Sequence, residues 1–197
     1  MAKKPDPEDR IIKAALALAA EQGWRGLTLA DVAAKAKVPL AQVLIPFPTK
    51  YAIVNAFQDR IDAEMLAVAT GGDGDNARDR LFDLLMERFE ALRPHRAALA
   101  EIARDSLCDP GALAFLPRMA RTMARALEAA GISAAGPLGV LKAKGLALVY
   151  ADAFRVWLKD DSEDLGRTMA ALDKGLRRAE KAACFLAGAR RREAPAT

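Results

Sequence analysis

Between Leu27 and Tyr51 the chain reads LTLADVAAKAKVPLAQVLIPFPTKY, and its punctuation leaves little choice of local fold. Thr28 followed three residues later by Asp31 resembles a capping box, so a helix starts there. Leu29, Val32, Ala33 and Ala36 space an apolar stripe along it. Pro39 suits the first turn of a second, short helix. Pro46 must end that helix near Ile45, because proline has no amide hydrogen and its ring clashes with the preceding turn. Thr49 then caps a long helix carrying Ile53, Val54, Phe57, Ile61 and Met65 along one side. Upstream, Asp6 caps and Pro7, Glu8 and Asp9 suit a first turn. Ile12, Ala15, Leu16 and Ala19 follow at helical spacing, and Gly23 stops the helix.

The rest of the chain continues the same period. Apolar residues recur at spacings of three and four near 77–92, 95–107, 111–130, 137–159 and 163–188, and no alternating strand pattern competes. The chain is 52% hydrophobic and only 6% aromatic, with Ala and Leu dominant. An all-α protein is therefore expected. The run TGGDGDN at 70–76 is the one Gly/Asp-rich break, and a linker is expected there rather than a calcium loop, whose distal Glu is missing. This divides the chain into an N-terminal helix-turn-helix domain at 1–70, a helical ligand-binding and dimerisation domain at 77–190 and a disordered tail at 191–197.

A short helix after a turn is the device that many proteins lay in the major groove of DNA. The first helix, the Thr28-x-x-Asp31 start, the short third helix and Phe47-Pro48-Thr49-Lys50 together resemble the N-terminal domain of the tetracycline-repressor (TetR) family over roughly residues 9–66. The resemblance implies a homodimeric transcriptional regulator that binds DNA, with its last two long helices at the dimer interface and an apolar small molecule held in the second domain. On the DNA side it implies Thr28, Lys50 and Tyr51 as phosphate-backbone contacts, with Lys37 beside them. The pattern departs from the family where Lys37 replaces a turn Gly and Pro39 replaces a common Ser. The second helix is also poor in base-reading groups: Leu40, Leu44, Ile45 and Pro46 occupy it, and Gln42 alone can pair with a base edge, preferring adenine.

A second resemblance points elsewhere. Residues 149–176, with Val149-Tyr150, Trp157-Leu158, the acidic run from Asp160 to Asp164, and Met169 to Asp173, look like the C-terminal domain of the ubiquinone-biosynthesis accessory family, coenzyme Q protein nine. That implies an isoprenoid- or lipid-binding accessory protein that does not read DNA. Phe82, Met86, Phe89, Met119, Met123, Tyr150, Phe154 and Trp157 can line an adaptable apolar pocket, or simply pack as core. Ser162 is expected to cap the helix that follows, with Glu163 and Asp164 suiting its positive end.

The formal net charge is +4. Residues 1–70 hold nine Lys/Arg against eight Asp/Glu, whereas 177–193 hold six against two. The excess base thus sits in the C-terminal tail, not around the helix-turn-helix. Its stripe of Met169, Leu172, Leu176, Ala179, Ala183 and Leu186 favours a dimer bundle, with a membrane surface as the other option. Nothing argues for an enzyme. His95 lies at a helix start as a loop histidine without a nucleophile beside it. No P-loop, nucleophile elbow or Cys/His metal spacing occurs, so neither cofactor nor metal is expected. Cys108 and Cys184 fit a reducing compartment. No apolar run spans a bilayer, and the N-terminus lacks a signal-peptide core, so a cytoplasmic location is expected.

Overall fold

The computed structural model describes residues 6–68, 76–106, 109 and 115–193, without the side chains of 184–193. Its helices are α1 (Pro7–Gln22), α2 (Leu29–Ala36), α3 (Leu40–Leu44), α4 (Lys50–Ala67), α5 (Ala77–Leu92), α6 (Arg96–Ser106), α7 (Phe115–Ala129), α8 (Gly136–Trp157) and α9 (Gly166–Glu193), with one 3-10 turn at Arg93–His95. No strand occurs among the described residues. The fold is all-α, as the periodicity requires. The glycine-rich break at 70–75, Cys108 and residues 194–197 lie wholly or mainly outside the described residues. Helix α9 is described through Glu193, into the segment expected to be a tail.

The helix ends obey the local chemistry of the sequence. Asp6 accepts from the Glu8 amide at 3.2 Å and begins α1. Gly23, at φ 84°, ends it in backbone that a side chain would strain. Thr28 and Asp31 form a reciprocal capping box at the start of α2. Thr49 Oγ1 accepts from the Ala52 amide at 3.2 Å and begins α4.

The described residues group into two compact units, one within Met1–Glu64 and Glu90–Arg118, the other within Met65–Phe89 and Met119–Thr197. In the first, α1 buries Ile11, Ile12, Ala15, Leu16 and Ala19 and packs against α2 and α6. Helix α6 contributes Ala98, Leu99 and Ile102, so it groups with the helix-turn-helix although it follows the glycine-rich break. His95 is half-buried rather than a free loop residue. Its ring meets Phe57 edge-on at 4.9 Å, and burial pulls its pKa down. The same unit holds a buried ion pair, Arg118 with Asp62 at 3.0 Å, and Arg118 also reaches Asp59.

In the second unit α8 and α9 pack along their lengths. The approach is close enough that a Cβ on Gly175 would lie 2.6 Å from Val149 Cγ1. The turn into α9 is organised by Asp160, which is fully buried. Its carboxylate accepts from the Thr168 amide at 2.8 Å, the Thr168 hydroxyl at 2.7 Å and the Ser162 hydroxyl at 2.5 Å. Burial alone would raise its pKa, but these bonds from Ser162 and Thr168 outweigh it and hold the group at about 2. Ser162 takes the Gly166 amide at 3.2 Å and Asp164 takes it at 3.1 Å. The expected cap is therefore present, with Asp160 as its centre.

Candidate nucleic-acid interface

The turn between α2 and α3 is built on Lys37, which adopts left-handed backbone at φ 55°, ψ 47° and stays exposed. A residue with a Cβ loses about 1–2 kcal/mol there relative to glycine. The conformation is held from three sides. The Lys37 amide donates to the carbonyls of Ala33 and Ala34. Arg10 of α1 donates to the Ala36 carbonyl and, at 3.1 Å, to the Lys37 carbonyl. The Val38 amide bonds the Ala33 carbonyl at 3.1 Å. Val43, fully buried, then pins α3 onto the unit.

What α3 and its C-cap residue Ile45 show to solvent is mostly apolar: Leu40 is 42% exposed, Leu44 46% and Ile45 84%. Gln42 is exposed beside them. Gln42, Ile45 and Pro46 line a shallow open depression with Asp6, Pro7 and Glu8 from the start of α1. Lys35, the nearest base on α2, is paired with Glu21 at 2.8 Å.

On the other flank, the residues expected to hold phosphate are engaged with the protein. Lys50 Nζ donates to the carbonyls of Trp24 (2.8 Å) and Arg25 (3.1 Å) and lies 5.1 Å over the Trp24 ring. Tyr51 donates its hydroxyl to Asp109 and packs edge-on to Trp24 and Phe115, at 5.9 and 5.3 Å. Burial and the Asp109 carboxylate push its pKa up. Thr28 is exposed, with its hydroxyl donated to Asp31 at 2.6 Å. The loop at 24–25 is gripped from the opposite side by Asp105 of α6, which accepts from the amides of Trp24 (3.0 Å) and Arg25 (2.8 Å). Those two amides, with Arg104, hold the Asp105 carboxyl below its ordinary pKa, Arg25 first.

Thr28, Lys37, Gln42, Lys50 and Tyr51 therefore all lie in the first unit. Thr28, Lys37 and Gln42 are exposed, whereas Lys50 and Tyr51 are half-buried. Arg10, Asp105 and Asp109 went unnoticed in the sequence. Asp105 and Asp109 sit about eighty and sixty residues from their partners, and no local pattern marks them. Arg10 had one available signal, the lysine where a turn needs left-handed backbone and hence an outside support.

A family model described as bacterial regulatory proteins, tetR family, matches residues 11–57. Residues 11–57 are thus of the tetR type in sequence. The whole chain has the matching fold. A TetR transcriptional regulator from Nitrosomonas europaea is 28% identical, with a TM-score of 0.72 over 89% of this chain and 99% of that one. A TetR transcriptional regulator from Rhodococcus sp. RHA1 is 18% identical, with a TM-score of 0.66 over 88% and 94%. NalD of Pseudomonas aeruginosa, the secondary repressor of the MexAB-OprM multidrug efflux pump, is 18% identical, with a TM-score of 0.55 over 87% and 96%. A search of curated proteins finds no match. Fold and N-terminal domain are those of a TetR-type transcriptional regulator. The likeness of 149–176 to the ubiquinone accessory family gains no support from these matches.

In the second unit, the residues expected to line a pocket divide into two groups. Phe89, Met123, Tyr150 and Trp157 are buried, whereas Phe82, Met86, Met119 and Phe154 are half-buried. Four of the rings close on one another. Phe89 stacks on Tyr150 at 4.9 Å and 10°, Tyr150 neighbours Phe154 at 6.2 Å, Phe154 neighbours Trp157 at 5.4 Å, and Trp157 returns to Phe89 at 5.8 Å. The buried Arg88 guanidinium lies 5.4 Å over Tyr150. The Trp157 indole N–H is buried with no hydrogen-bond acceptor among the described residues.

Proposed function

We propose that this protein is a homodimeric, ligand-responsive transcriptional regulator that acts on DNA through α2 and α3 and does no catalysis. The observation that carries the reading is the intact helix-turn-helix frame, with the Lys37 turn clamped by Arg10, inside a region that matches the tetR family model. Such a frame has no evident use except to hold α3 at a fixed pose. Lys37 and Thr28 are the exposed candidates for phosphate. Lys50 and Tyr51 act chiefly by fixing the α1–α2 loop against α4, and Lys50 keeps one ammonium proton for a phosphate.

The ligand side is the aromatic layer of the second unit. In the same unit Phe82, Met86, Met119 and Phe154 are half-buried, and the Trp157 N–H offers a donor to a largely apolar ligand. Dimerisation through α8 and α9 is supported by Leu138, Leu141 and Leu148, which share one face of α8 and are 45%, 54% and 75% exposed. Among the described residues no helix is long and apolar enough to cross a membrane.

Fluorescence anisotropy with DNA from upstream of the protein's own gene tests the DNA reading. Binding that beats random DNA as salt rises supports it. Equal, salt-sensitive binding to every duplex removes it, because that is counterion release alone.

A further inference from the structure

Gln42 of α3 and Ile45, the residue that caps its C-terminus, stand one turn apart and line the same open depression. They sit opposite the buried Val43, so they form the outermost ridge of the helix. Ile45 is 84% exposed, an uncommon position for so large an apolar side chain. The α3 segment, Leu40-Ala41-Gln42-Val43-Leu44, carries no cation. The two side chains bordering the ridge from α1, Asp6 and Glu8, are carboxylates.

We propose that the Gln42–Ile45 ridge reads an A·T step in the major groove, Gln42 on the adenine edge and Ile45 on a thymine methyl group. This rests on the DNA-binding reading above and names the base chemistry it selects. Gln pairs with the N6 and N7 positions of adenine, and an apolar side chain meets the C5-methyl of thymine. Guanine presents only acceptors in the major groove and is commonly taken by Arg or Lys. Here α3 brings no cation to it. Leu40 and Leu44, a turn apart on the neighbouring strip of α3, extend the apolar contact to adjacent thymines.

The full-length protein is used to enrich binding sites from a randomised duplex library. The enriched duplex is then remade with deoxyuridine for thymidine, one position at a time. Uracil keeps every hydrogen-bonding group and lacks only the methyl. At one or two positions the loss is expected to be about fourfold, the worth of one buried carbon. In Ile45→Ala that thymine-to-uracil ratio falls to one, while circular dichroism stays that of the parent. In Gln42→Ala the adenine preference goes and the methyl dependence stays. An enriched site whose affinity ignores the methyl, or that requires guanine opposite α3, overturns the proposal and leaves the regulator intact. No enrichment over random duplex overturns both.

Discussion

The two flanks of the helix-turn-helix invert the usual division of a protein surface. On the α1–α2 loop and the start of α4, polar groups point inward. Lys50 serves two backbone carbonyls, Tyr51 serves Asp109, and Asp105 receives two amides. On α3, less than ten residues away in sequence, apolar groups point outward. Leu40, Leu44 and Ile45 are all exposed, and Val43 alone goes in. Hydrogen bonds to charged partners contribute about 1.5–3 kcal/mol each when partly buried, so the first flank is rigid by construction. Exposed Leu and Ile contribute almost nothing to stability. The first flank is therefore shaped by folding, and the second is free to be shaped by what it touches.

The largest effect that separates the two belongs to Trp24, which is 1% exposed at the centre of the clamp. Trp24→Ala is expected to lose about 3–5 kcal/mol in urea denaturation. Ile45→Ala is expected to change the same measurement by less than about 0.5 kcal/mol. Similar losses in both would dissolve the distinction between a frame and a reading face.

Lys50→Met should come next, at about 1–2 kcal/mol, since it leaves the Trp24 and Arg25 carbonyls without their donor. It should also weaken binding to every duplex alike. A loss confined to one sequence would mean that Lys50 reads bases instead.

In the second unit, Asp160 supplies a pH test of a polar group that belongs to the fold alone. Its folded pKa of about 2 lies below the ordinary 3.8. The stabilisation, about 1–2 kcal/mol after allowance for solvent screening, is thus present above pH 4 and is lost as pH falls towards 2. Asp160→Asn should flatten that limb of the stability profile, with DNA binding of the folded protein unchanged. An unaltered acid limb would remove Asp160 from the account.

The last effect has the opposite sign. Lys37→Gly should stabilise by about 1 kcal/mol, because glycine enters the left-handed backbone at φ 55° without the Cβ penalty. If the Lys37 charge also touches phosphate, the variant gains in melting temperature while its salt slope falls by about one unit. Lower stability would show that the lysine makes a contact beyond its backbone.

Much of this was legible in the sequence, because the signals are local. Asp6, Gly23, the Thr28/Asp31 box, Pro46 and Thr49 each mark a helix end through chemistry confined to three or four residues. The apolar stripes of α1, α5 and α8 follow from periodicity alone. Long-range partnerships were not legible. Nothing near Asp105 says that it meets Trp24 and Arg25, so α6 read as part of the later domain. Lys50 and Tyr51 read as surface residues because their partners lie 26 and 58 residues away. The His95 ring meets Phe57 edge-on, nearly forty residues upstream. The apolar makeup of α3 was plain from the first, but its exposure, and the pairing of Gln42 with Ile45 on one ridge, required the turn at Lys37 to be placed.

The most direct test of the central claim, that a rigid frame presents α3 to DNA as a reader, is competitive anisotropy with the enriched duplex against random duplex at two salt concentrations. A specificity ratio that survives higher salt, and that Ile45→Ala and Gln42→Ala reduce without loss of fold, is the predicted result. A ratio of one at both salts, with affinity set by ionic strength alone, would contradict it.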